Sequence, residues 1–188
     1  MHPPRVGDEN LSIHGGAAGS GALPQPLIEP LTQSLTRRAL DALSFPNARD
    51  EDGDWFTVIP GREGRSDLVC SFLVHAEPRP WFRLLCLFHA QIPRRKWGQA
   101  LTLCNTYHAT IRFGRAYLET QEGQEDPSLR FEAAIDCTDG LTQQFLQTFI
   151  SSHIAAACLF YEMAHEDKAL GLTRTKTRGG NKRQEVTI

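Results

Sequence analysis

The longest apolar alternation in the chain runs over residues 81–90, WFRLLCLFHA. Successive side chains on a strand point to opposite faces, so Phe82, Leu84, Cys86, Phe88 and Ala90 form one wholly apolar set. The other set, Trp81, Arg83, Leu85, Leu87 and His89, is mixed but still rich in large apolar groups. A strand with one face in water carries mainly polar residues there. The second set therefore predicts a face that the chain covers or keeps for a partner. Pro93 stops the ladder and suits the first turn of a helix. After it, Trp97, Ala100, Leu101, Cys104 and His108 fall on one helical stripe.

The same reading organises the remaining elements. Leu31, Leu35, Ala39, Ala42 and Leu43 predict a helix over residues 30–43, ended by Pro46. Residues 55–59, WFTVI, predict a strand with Phe56 and Val58 facing in and Trp55, Thr57 and Ile59 facing out. A Pro-Gly turn leads to a second strand at 66–75, and Pro78 and Pro80 turn the chain into the long apolar strand. Residues 115–120 predict a short strand. It is followed by LRFEAAID, with Leu129, Phe131, Ala133 and Ile135 inward and Arg130, Glu132 and Asp136 outward. Thr142 is placed to cap a last helix reaching about residue 164, with Leu141 and Leu146 positioned as a hydrophobic staple. Phe145, Phe149, Ile150, Ile154, Ala157, Tyr161 and Met163 give that helix a broad apolar face.

The order α-β-β-β-α-β-β-α predicts an α+β fold: a five-stranded antiparallel sheet packed by helices. Its expected core face is Phe56, Val58, Phe82, Leu84, Phe88, Phe131 and Ile135, beneath the first and last helices. By the same parity Trp55, Trp81, Arg83, Leu85 and Leu87 form the opposite face and are the expected partner-binding residues. Tryptophan and arginine there are the residue types that dominate interface energetics.

Composition sets the limits. The 188 residues allow one domain of common size plus tails. Residues 1–26 contain the aperiodic run HGGAAGSGALPQP and read as a flexible tail. Residues 27–167 hold the domain, and 168–188 read as a basic, flexible C-terminal tail. A net charge of −2 speaks against nucleic acid as a partner. The chain carries no apolar run of membrane-spanning length, and no stretch near the start resembles a signal peptide. The five cysteines are widely spaced within apolar patterns. They fit free thiols in a reducing, cytoplasmic compartment, with a redox pair or a metal set as the alternatives.

No chemical signature stands out. Cys104 and His108 share a helical face but lack an orienting third group. Cys70, Cys86, His75 and His89 could meet on adjacent strands, but without zinc-site spacing. The acidic run RDEDGD at 49–54 lacks the glutamate and glycine placement of an EF-hand loop. No catalytic residue, metal or cofactor is expected. The expected function is non-enzymatic protein binding, chaperone- or adaptor-like; the alternatives are a thiol-dependent enzyme and a small-ligand-binding domain.

Several segments together resemble the YbjN-domain family. They are the early helix LTRRALDAL, the turn and strand DGDWFTVI, the long strand ending at Ile92-Pro93, and LTLCN at 101–105. The strand GRAYL at 114–118, residues 129–135 and the aromatic end of the last helix complete the set. The resemblance implies a fold similar to type III secretion chaperones. Such proteins are commonly homodimeric and bind extended segments of other proteins, so a homodimer and a partner protein are expected here.

Overall fold

The computed structural model describes residues 26–61, 67–120 and 125–172, with only the backbone of His89 and Ala90. The stretch read as an N-terminal tail falls outside these residues except for Pro26, and the one read as a C-terminal tail falls outside them beyond Leu172. Helix α1 spans Gln33–Ala42, α2 spans Trp97–Thr110 and α3 spans Gln143–Glu166. The strands are β1 (Ala48–Arg49), β2 (Trp55–Ile59), β3 (Leu68–His75), β4 (Trp81–Gln91), β5 (Arg115–Glu119) and β6 (Ser128–Asp136). They form one antiparallel sheet of six strands in the order β1-β2-β3-β4-β6-β5. The class is the expected α+β. The additional strand is β1, whose two residues pair with Trp55 and Phe56 and are too short to leave an alternating pattern.

Threonine caps start α1 and α3. The Thr32 hydroxyl oxygen accepts the amide of Leu35, and that of Thr142 accepts the amide of Phe145. Around α3, Phe88 stands edge-on to Phe160, Phe82 edge-on to Phe149, and Tyr107 of α2 edge-on to both Phe131 and Phe160. These rings are the centre of the core, and Phe82, Phe131, Phe160 and Tyr107 are fully buried. The Tyr107 hydroxyl donates to the Phe113 carbonyl at 2.6 Å, so its polar end is satisfied inside the protein. Burial pushes that phenol up to about 12.

Phe82, Leu84, Phe88 and Phe131 lie on the helix-covered face as expected, with Ile135 half-buried. Strand β2 is reversed. Residues directly opposite in adjacent strands share a face, and Thr57, Cys70, Cys86 and Phe131 form one such row. Thr57 is therefore buried, while Phe56 and Val58 point to the other side. A threonine is tolerated there because its hydroxyl donates to the Pro46 carbonyl at 2.5 Å. Helix α2 is also rotated from the expected stripe: Leu103 and Tyr107 join Ala100 and Cys104 inside, and Leu101 is exposed. Past α3 the chain stays packed. Leu170, inside the stretch read as a tail, is buried, and the Lys96 ammonium donates to its carbonyl.

Candidate functional site

Helices α1, α2 and α3 all pack on the face that carries Phe82, Cys86 and Phe131. Among the described residues no helix or strand lies over the other face. Two rows define that open face. One is Phe56, Ser71, Leu85, Glu132 and Arg115; the other is Val58, Val69, Leu87, Arg130 and Tyr117. Leu73, Arg83 and Trp81 extend it along β3 and β4 by the same parity. The face thus divides into an apolar half on β2, β3 and β4, and a charged half on β6 and β5.

The expected binding residues meet different fates. Trp55 is not on this face. Reversed with the rest of β2, it sits on the helix side, where its indole N–H donates to the Gln33 carbonyl at 3.3 Å and Arg37 and Arg49 lie over its ring. Trp81, Arg83, Leu85 and Leu87 do share the open face, each half-buried by its neighbours. The Trp81 ring is stacked by His75 at a centroid distance of 3.8 Å and an interplanar angle of 6°. Phe56 and Val58 are the members that the sequence pattern assigned inward; Val58 is 39% exposed.

The charged half is organised by Glu132. Arg83 donates to its Oε2 at 2.9 Å, the Tyr117 hydroxyl donates to the same oxygen at 2.9 Å, and Arg115 lies 3.5 Å from Oε1. Beside it, buried Arg130 pairs with Glu119 at 3.0 Å. Burial alone would push the Glu132 carboxyl up. The hydrogen bonds from Arg83 and Tyr117, with the charges of Arg83 and Arg115, outweigh it and hold the group below its ordinary value. Tyr117 moves the other way, raised to about 12 by burial and by its bond to Glu132.

A carboxylate held below its unfolded value contributes stability that is complete above the unfolded value and fades as pH falls through the folded one. Glu132→Gln is therefore expected to cost about 1–3 kcal/mol at pH 7, because Arg83 keeps its burial and loses its counter-charge. The gap between wild type and variant should close as urea titrations move from pH 7 to below pH 4. A gap independent of pH would show that the carboxylate's charge is not what Arg83 and Tyr117 hold.

The chemical candidates are not assembled. Cys104 is buried in the α2 stripe, and burial raises its thiol to about 11. His108, rather than facing that thiol, accepts the Ala116 amide on its Nε2 at 2.9 Å. Cys70 and Cys86 do adjoin, but His75 is stacked on Trp81. Among the described residues no three metal-ligating side chains converge, and no helix is long and apolar enough to cross a membrane. An open cleft of about 340 Å³ lies beside Glu132, lined also by Gly114, Arg115 and His153.

A one-layer sheet with all its helices on one side and a half-apolar opposite face defines a class of protein, an α+β platform with one face left open. The particular family is set by sequence: the YbjN profile, described as "Putative bacterial sensory transduction regulator", matches residues 31–166. The chain belongs to the YbjN family. Among solved structures it is similar to the crystal structure of YbjN, "a putative transcription regulator from E. coli". That likeness has a TM-score of 0.57 at 15% identity, over 74% of this chain and 94% of the other, and it bears on the fold. No curated protein sequence matches significantly.

Proposed function

We propose that this chain is a non-enzymatic protein-binding module, chaperone- or adaptor-like, that takes an apolar segment of a partner protein on the open sheet face. The observation that carries the reading is the one-sided sheet. Phe56, Val58, Val69, Leu73, Leu85 and Leu87 form a connected apolar surface over three strands, with no element above them among the described residues. The family's description as a regulator accords with binding rather than turnover. The charged half suits orientation more than attraction, because its arginines already hold Glu132 and Glu119. Cys70, Cys86, Cys104 and Cys137 are buried thiols outside any disulfide, which suits a reducing, cytoplasmic setting.

A second copy of the chain is the other occupant this face would suit, giving a homodimer. The two readings separate in one experiment. Val58→Lys and Leu85→Asp place charge on the face, where Val58 is exposed enough that its change should cost only about 0.5 kcal/mol. With a partner protein as occupant, both variants keep the wild-type mass by light scattering and lose the proteins that co-purify with the wild type. With a second copy as occupant, the wild type is a dimer and the variants fall to monomers. Variants that retain both mass and co-purifying proteins would sink the assignment of this face.

A further inference from the structure

We infer that Cys70 and Cys86 form a modification site, a buried dithiol that a small, uncharged hydroperoxide converts to a disulfide joining β3 to β4. The two residues are directly opposite in the β3–β4 register, and their sulfurs are 3.2 Å apart. Opposed residues of an antiparallel pair have Cα atoms about 4.5–5.5 Å apart, within the span a disulfide bridges. Both side chains point into the helix-covered core and are fully buried. The site is independent of whatever docks on the open face.

Burial decides which oxidant can act and how. Glutathione disulfide is large and charged, and cannot reach sulfurs with no exposed surface, whereas hydrogen peroxide is small and neutral. Desolvation, followed by the contact with Cys70, pushes the Cys86 thiol well up, so little thiolate is present and the first step is slow. In that step one sulfur attacks a peroxide oxygen, the O–O bond breaks, and a sulfenic acid and one water form. The second sulfur then attacks the sulfenic sulfur, the S–S bond forms, and a second water leaves. The two thiols lose two electrons and two protons, and the peroxide is reduced to two waters. The second step is fast because its nucleophile is already in contact, so the sulfenic acid is captured before further oxidation.

The bond would form beneath the middle of the open face. Val69 and Leu87, and Ser71 and Leu85, are the pairs flanking Cys70 and Cys86 along the ladder, and they point to that face. Oxidation would therefore fix the spacing of β3 and β4 under Leu85 and Leu87.

The test is mass mapping of the full-length, folded protein after hydrogen peroxide treatment, followed by alkylation in denaturant. Before alkylation the expected product is about 2 Da lighter than the untreated protein and returns to that mass with dithiothreitol. After alkylation it carries labels on Cys104, Cys137 and Cys158 alone and gives one cross-linked peptide pair joining Cys70 and Cys86. The Cys86→Ala variant should show no loss of hydrogens at Cys70. Cys158 on α3 lies within electrostatic reach of Cys86 and is only half-buried, so it is the competing partner. A Cys86–Cys158 bond, or Cys70 and Cys86 both recovered alkylated while Cys158 gains oxygen, would overturn the assignment. Because the wild-type map alone gives either answer, the inference does not depend on the variant's folding.

Discussion

Phe160→Ala is expected to destabilise the protein by about 3–5 kcal/mol, lowering the melting temperature by roughly 10 °C for a chain of this size. Phe160 is fully buried on α3 and touches rings from two other elements. Phe88 of β4 meets it edge-on at 5.3 Å, and Tyr107 of α2 meets it at 5.1 Å. Removing the ring takes away the apolar transfer energy and leaves a cavity where sheet, α2 and α3 meet. Tyr107 cannot swing in to fill it, since its hydroxyl is tied to the Phe113 carbonyl. The neighbouring Leu159 is 42% exposed, so Leu159→Ala should cost under about 1 kcal/mol in the same denaturation series. Equal costs at the two positions would mean that α3 is rotated from the orientation described.

Gly114→Ala should be nearly as damaging, at about 2–5 kcal/mol, although it adds a single carbon. Gly114 has φ +67°, a left-handed conformation that costs an ordinary residue about 1–2 kcal/mol. The added Cβ would stand 2.2 Å from Cζ of Phe131 and 2.9 Å from the Glu132 carbonyl. Phe131 is locked against Tyr107, and the carbonyl belongs to β6, so relief would require shifting the start of β5. Gly98 provides the contrast. A Cβ there meets nothing within 4 Å, and Gly98→Ala should stabilise α2 by up to about 1 kcal/mol. Thermal melts of the two variants check both signs at once.

How much of this could be read in the sequence depended on whether polar residues broke the tie between two faces. In β6, Arg130, Glu132 and Asp136 alternate with Leu129, Phe131, Ala133 and Ile135, and its orientation was plain. In β4 the wholly apolar parity marked the core correctly. In β2 both parities of WFTVI are apolar, and two large side chains outvoted one threonine. What settles β2 is register: pairing with β3 puts Thr57 opposite Cys70, and a non-local hydrogen bond to Pro46 makes its burial affordable. Trp55 was misplaced with it. The Glu132 cluster was half legible, since Glu132 and Arg130 faced outward by pattern. Its assembly with Arg83, Arg115 and Tyr117 needs three strands in register, which spacing along one chain does not encode. Helix α2 misled because Leu101 and Leu103 each complete a plausible stripe, and only contact with β5 and α3 selects Leu103.

An open sheet exposes rows of unsatisfied amides along its outer strands, and these invite identical molecules to add strand upon strand into fibrils. Here one border is short: the two residues of β1, whose Arg49 folds back onto the Gly53 carbonyl, and beyond them the end of β2 from Thr57 to Ile59. At the other, the imidazole of His108 already occupies the Ala116 amide, and Arg115 and Glu119 place charge at either end of β5. Any strand arriving there must first evict the imidazole and then accommodate those charges. Growth in the hydrogen-bonding direction thus meets a short edge at one border and an occupied, charged one at the other, while the broad apolar face is left to other contacts.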